Sequence, residues 1–147
     1  MDSKGLYTID FLFSIFFTLI IGIVMFNIVG TNLENEKIIE EDLNGRTLID
    51  EIANIINQVN SNYLGYGKTI EIPYNISENY FSLTINQNEV LLEFKNKKAE
   101  SKIIPVRIIN INNDLVDDFK MYPGNSYKIK KSIDKNNMTG VQVYKIN

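Results

Sequence analysis

The sequence predicts an α+β fold, in which a long N-terminal α-helix precedes a C-terminal antiparallel β-sheet. Three patterns carry this prediction. Residues 11–30 are almost continuously apolar, residues 33–59 repeat apolar side chains at steps of three and four, and the segments after residue 67 alternate apolar with polar side chains. The first two patterns are typical of helices and the third of half-buried strands. We expect the first half of the helix to span a membrane and the second half to pack on the sheet.

The apolar run at residues 11–30, FLFSIFFTLIIGIVMFNIVG, contains no charged residue. Twenty helical residues cover about 30 Å, the thickness of a bilayer hydrocarbon core. A buried core helix is one alternative, but large apolar side chains lie on every face of this segment. A cleaved secretory signal is another, but its apolar region is usually shorter and ends in an Ala-x-Ala-like site. Lys4 precedes the run and acidic residues follow it. This arrangement favours a single span with the N-terminus inside and the bulk of the chain outside.

The second helical pattern, in residues 31–63, is amphipathic. Its predicted buried face comprises Leu48, Ile52, Ile55 or Ile56, and Val59. A short coiled coil or a plain linker helix is the alternative for this segment. Asn44-Gly45 is its weak point, where we expect a kink or a break, because a glycine inside a helix costs about 1 kcal/mol relative to alanine. The glycines at positions 65 and 67 are predicted to end the helix.

Residues 64–147 are predicted to form a globular head of five or six short antiparallel strands. The predicted strands are Lys68–Ile72, Tyr80–Ile85, Val90–Phe94, Lys102–Ile111, Ser126–Ile133 and Val141–Ile146. Residues 86–89 are a likely hairpin turn by composition, and residues 122–125 contain the turn pair Pro123-Gly124. Pro105 lies inside one predicted strand and indicates an edge, a bulge or a break there.

The composition excludes most of the common kinds of catalytic site, because the chain contains no His, no Cys and no Trp. A disulfide framework, a cysteine-based metal site and an imidazole base are therefore excluded. We expect no catalytic residue, no cofactor and no metal, and the chain is not predicted to be an enzyme.

Charge is segregated along the chain, with a net −5 over residues 31–60 and a net +6 over residues 95–147. Asp114, Asp117 and Asp118 supply oxygen ligands of the kind that calcium prefers, but their spacing is not that of an EF-hand, and a solvated loop is favoured. The lysines of the strand region alternate with core residues, as on an exposed strand face, so nucleic-acid binding is not predicted. Complementarity between the acidic helix and the basic strands, within one subunit or between two, is the alternative that we retain.

The residues before the apolar run form a distinctive pattern. Lys4-Gly5 is followed by Leu6, and Asp10 stands at the edge of the apolar segment. By itself, Asp10 is accounted for by the favourable interaction of an acid with a helix N-terminus. A carboxylate between apolar neighbours at the edge of hydrocarbon is otherwise costly and usually has a partner.

The complete pattern resembles the class III signal sequence of type IV prepilins, especially of archaeal pilin-like proteins of the minor-pilin or pseudopilin type. The acid is commonly Glu in that family and here is Asp10, and the first mature residue here is Leu6. The segment LIDEIANIINQV, followed by a glycine-rich turn and alternating strands, looks like the corresponding part of archaeal minor pilins.

The resemblance implies a five-residue leader, residues 1–5, that a prepilin peptidase removes by cleavage between Gly5 and Leu6. It also implies a transmembrane or filament-core helix over residues 6–30, its amphipathic extension over 31–63, and the head over 64–147. In a filament, Asp10 of one subunit would pair with the Leu6 amine of its neighbour. The implied partners are membrane lipid, the prepilin peptidase and other pilin subunits. The predicted location is the cell membrane, then a surface filament.

Two sequons occur in predicted turns, at Asn75-Ile76-Ser77 and at Asn137-Met138-Thr139, so Asn75 and Asn137 are candidate N-glycosylation sites. For the whole chain, the first functional hypothesis is a structural subunit of a type IV pilus-like surface filament. The alternative is a single-pass, membrane-anchored extracellular binding or sensor module that does not assemble.

Overall fold

The computed structural model of the chain describes residues 3–76, 80–95 and 97–146, and for residues 3–7 and 38–41 it describes the backbone alone. The chain divides into two compact units, Met1–Glu40 and Glu41–Asn147. One helix, α1 (Ser3–Ser61), contributes to both units. Because α1 passes through Asn44-Gly45 without interruption, the helix break that we considered there does not occur.

The first unit is the N-terminal part of α1, and its described side chains are exposed from residue 8 to residue 37. The helix is long and apolar enough to cross a membrane, since its most apolar window has a mean hydropathy of 2.6. Its few polar side chains bond to the backbone one turn earlier. Ser14 Oγ donates to the Asp10 carbonyl at 2.9 Å, and Thr18 Oγ1 donates to the Ser14 carbonyl at 2.7 Å. Asn27 Nδ2 makes the same kind of bond to the Ile23 carbonyl at 2.8 Å.

The second unit begins with the C-terminal part of α1, which buries one face. The residues on this face are Leu48, Ile49, Ile52, Ala53, Ile56 and Val59. The sequence did not decide whether Ile55 or Ile56 lies on the buried face of the helix. In the structure Ile56 is fully buried, whereas Ile55 is only partly buried. The helix ends at Ser61, close to where the glycines predicted its end, and Gly65 has a φ of 94° that side chains rarely allow.

Nine strands follow the helix in the described part of the chain. They are β1 (Gly67–Glu71), β2 (Phe81–Asn86), β3 (Glu89–Phe94), β4 (Lys97–Lys102), β5 (Ile108–Ile109), β6 (Leu115–Val116), β7 (Asp118–Met121), β8 (Ser126–Ile133) and β9 (Thr139–Ile146). They form a five-stranded sheet in the order β1-β8-β9-β5-β6 and a four-stranded sheet in the order β4-β3-β2-β7. All pairs are antiparallel except β5 with β9, which run parallel. The α+β class is confirmed, whereas the prediction of one antiparallel sheet with five or six strands is wrong.

The predicted strand Lys102–Ile111 is not continuous, and of the edge, bulge or break that Pro105 indicated, the structure shows a break. The chain forms β4 before it and the two-residue β5 near its end, with no strand over the residues around Pro105. There the backbone instead donates from Ile103 to the Asn88 carbonyl and from Val106 to the Gln87 carbonyl, each at 2.9 Å. Proline has no N–H to give to a sheet ladder, which explains the break.

The core of the second unit contains buried side chains from the helix and from both sheets. Tyr127 on β8 is 2% exposed and its ring contacts Phe119 edge-to-face at a centroid distance of 6.0 Å. Its hydroxyl oxygen accepts a hydrogen bond from the Tyr122 backbone N–H at 2.7 Å. Tyr127 is therefore part of the core, and its ring is not available at the surface.

Candidate functional site

The candidate processing and assembly residues lie in the first unit. Gly5 and Leu6 fall within α1, at positions whose side chains lie outside the described part of the chain. Asp10 is described and exposed, and its neighbours Ile9 and Phe11 are 53% and 64% exposed. The Asp10 carbonyl accepts from Ser14, but no cationic partner of its carboxylate occurs among the described residues.

The two candidate glycosylation sites differ in how far they are described. Asn75 is exposed, and Ser77 of its sequon lies outside the described residues. Asn137 is exposed in a tight turn with a φ of 60°, and its N–H donates to the Asp134 carbonyl at 3.1 Å. Thr139, the third residue of this sequon, begins β9 and is exposed. The Asn137 side chain is therefore accessible at a fixed turn.

The acidic residues of the 112–119 region do not converge on a metal. Asp114 forms an ion pair with Lys135 at 2.5 Å, and Asp118 begins β7. Lys135 donates a hydrogen bond that lowers the pKa of Asp114 below its ordinary value. Within residues 3–76, 80–95 and 97–146, no group of three acidic side chains lies close enough together to hold a metal ion.

Contacts between the acidic helix and the basic strands occur inside the second unit. Lys97 Nζ donates to both carboxylate oxygens of Asp42, at 3.0 and 3.1 Å. Farther along the helix, Ser101 Oγ donates to Asp50 Oδ1 at 2.6 Å. Both side chains of the Lys97–Asp42 ion pair are more than half exposed, so the pair contributes little stability.

The outer strand β4 is bordered by further ion pairs. Lys98 binds Glu93 at 2.6 Å, and Lys102 binds both Glu89 and Glu100. The hydrogen bond from Lys102 lowers the pKa of Glu89, and the same contact raises the pKa of Lys102. These pairs neutralise part of the positive charge of the strand region within the chain.

Two polar contacts of the second unit had no signal in the sequence. Asp134 is 5% exposed; its Oδ1 accepts from the backbone N–H groups of Asn136 and Met138, while its Oδ2 lies 3.5 Å from Arg107 Nη2. At the end of the helix, Lys131 Nζ donates to Asn60 Oδ1 at 2.8 Å and to the Asn60 carbonyl. The hydrogen bonds to Asp134 fix the β8–β9 turn. The hydrogen bonds from Lys131 to Asn60 cap the helix C-terminus.

Comparisons with protein-family models, with curated proteins and with solved structures yield no match to this chain.

Proposed function

We propose that the chain is a structural subunit of a type IV pilus-like surface filament that performs no chemistry. In this proposal a prepilin peptidase cleaves after Gly5, and the apolar helix anchors the subunit in the membrane until assembly. The head lies outside the cell. The observation that carries the proposal is the first unit, an apolar helix whose side chains are exposed from residue 8 to residue 37 and in which the Asp10 carboxylate has no cationic partner among the described residues.

The physical argument starts from what this helix requires. Its exposed apolar side chains need lipid or the apolar surfaces of other subunits, because in water they would associate. A carboxylate in an apolar bundle is costly unless it is paired. Cleavage after Gly5 would create a new ammonium group at Leu6. Pairing of Asp10 with that ammonium in a neighbouring subunit would satisfy both charges and select one register between helices.

The direct test is mass spectrometry of the native N-terminus. The proposal expects a mature chain that begins at Leu6. A chain that begins at Met1, or beyond residue 30, contradicts it. Uncleaved chain that remains in the membrane as a monomer supports the alternative, an anchored extracellular binding module.

A second test separates membrane insertion from assembly. Asp10→Ala is expected to insert normally but to enter filaments poorly, whereas Asp10→Glu keeps the charge and is expected to assemble. Glu36→Ala is a matched control, because Glu36 is an exposed acid on the same helix outside the apolar run. Normal filament incorporation of Asp10→Ala would rule out the pairing.

A further inference from the structure

The strand β1 forms one outer edge of the five-stranded sheet, and among the described residues it pairs with β8 alone. At one end of the strand Lys131 N donates to the Tyr66 carbonyl at 2.8 Å, and at the other Ile72 N donates to the Asn125 carbonyl at 3.0 Å. In an antiparallel ladder alternate residues bond to the neighbouring strand. The backbone N–H and C=O groups of the even-numbered residues of β1 therefore point toward β8. Those of Thr69 and Glu71 point to the open side of the strand.

This edge carries fewer charged residues than the outer strand of the other sheet. There, β4 carries Lys97, Lys98 and Lys102, each of which forms an ion pair. Lysines and charge pairs are the usual means by which proteins prevent another strand from adding to an edge. β1 (GKTIE) contains no proline, and the described part of the chain gives Lys68 and Glu71 no ion pair.

A groove runs between β1 and the adjacent side of the helix. Its volume is about 660 Å³, and its lining includes Asp50, Glu51, Ile55 and Gln58 from the helix and Lys68 and Thr69 from β1. Glu51 forms no ion pair with any described residue, while Asp50 accepts from Ser101. Two carboxylates, those of Asp50 and Glu51, and a single ammonium, that of Lys68, thus line the groove.

We propose that this groove binds an extended, basic peptide segment of a partner protein, which adds to β1 as a further antiparallel or parallel strand. The backbone groups of Thr69 and Glu71 would supply the main-chain hydrogen bonds, and Ile55 would contact an apolar side chain on the helix side. Glu51, which has no ion-pair partner among the described residues, selects positive charge. The five residues of β1 cover about 17 Å, enough to hold a peptide of similar length. This proposal does not depend on assembly into a filament.

The test uses the full chain in non-ionic detergent micelles and a short, capped peptide of alternating Lys and Val, labelled for fluorescence anisotropy. We expect binding that weakens with added salt, and none to the matching peptide of alternating Glu and Val. Methylation of every backbone nitrogen of the Lys-Val peptide keeps its charge but removes its donors, and it should abolish binding. Methylation of every second backbone nitrogen leaves the N–H donors along one edge of the peptide intact and should preserve binding.

Variants of the protein test the groups of β1 and of the helix that would contact the peptide. Thr69→Pro removes an N–H that points away from β8, so it should weaken peptide binding about tenfold while the sheet is kept. Thr69→Val retains the N–H and should bind normally. Glu51→Gln should weaken binding and reduce its salt dependence.

Two results would overturn the proposal. Equal binding of the fully methylated and unmethylated peptides would show charge attraction without strand addition. Self-association of the chain in the absence of peptide, abolished by Thr69→Pro, would make a second copy the occupant of the edge. If Thr69→Pro does not fold, the methylated peptides with the unaltered chain decide the question.

Discussion

The burial of Ile56 beside the partly exposed Ile55 permits a sharp test of how the helix packs in the second unit. Both residues lie in the same turn of α1, and each can be replaced by alanine. Ile56 is fully buried in the core, whereas Ile55 only borders it. The same chemical change is therefore made in two environments, and any gain in helix propensity is common to both variants.

The expected magnitudes follow from this difference. Truncation of Ile56 removes three buried carbon groups, worth about 2.4 kcal/mol at about 0.8 kcal/mol each, and leaves a cavity that raises the total to about 3–4 kcal/mol. Truncation of Ile55 loses only part of that burial and leaves no closed cavity, so we expect about 1 kcal/mol. Ile56→Val, which removes a single carbon group, should cost about 1 kcal/mol.

The assay is urea unfolding of the full chain in detergent micelles. Tyrosine fluorescence is a suitable signal, because the chain has eight tyrosines and no tryptophan. The dependence of unfolding free energy on urea concentration should be the same for all variants, so that shifts in midpoint report stability. Equal losses for Ile55→Ala and Ile56→Ala, or a larger loss for Ile55→Ala, would show that the buried face is assigned incorrectly.

Two further predictions concern the sheets. A methyl group on Gly140 would lie 2.6 Å from the Arg107 carbonyl oxygen and 2.8 Å from Ile109 Cδ1, so Gly140→Ala should destabilise the protein by about 1–3 kcal/mol in the same assay, while Thr139→Ala, at an exposed neighbour, should have little effect. Because the pKa of Glu89 is lowered in the folded chain, its contribution to stability is present above its unfolded pKa and is lost as pH falls through the folded value. Lys102→Ala should raise the pKa of Glu89 toward its ordinary value, which an NMR titration would measure; an unchanged pKa would contradict the assignment of this shift to Lys102.

Local sequence patterns predicted the elements that are marked by alternating apolar and polar side chains or by a run of turn-forming residues. The bounds of β8 (Ser126–Ile133) agree with its alternation of apolar and polar residues, and the β2–β3 turn lies where the polar residues 86–89 indicated. By contrast, β4 has the sequence KKAESK, in which no large apolar residue marks a buried face. Its strand conformation depends on pairing with β3 and on charge pairs, which a sequence pattern does not reveal.

Contacts between distant residues account for the rest of the difference. The parallel pairing of β5 with β9 joins residues about 33 positions apart and requires the close approach that Gly140 permits. The Asp134–Arg107 contact likewise depends on this arrangement, so nothing in the local sequence distinguishes Asp134 from the exposed acids. For the candidate site, Asp10 could be selected from sequence because its surroundings are set by its immediate neighbours.

The hydrogen bonds that Ser14, Thr18 and Asn27 make to their own helix have a consequence for its behaviour in a bilayer. Ser14 and Thr18 donate their hydroxyl protons within the helix, and Asn27 donates one amide N–H in the same way, so in hydrocarbon these donors would need no neighbouring helix. The Asp10 carboxylate has no cationic partner among the described residues, so it would resist entry into hydrocarbon. In a membrane, this side chain would therefore limit how deeply the N-terminal end of the helix can enter the hydrocarbon core.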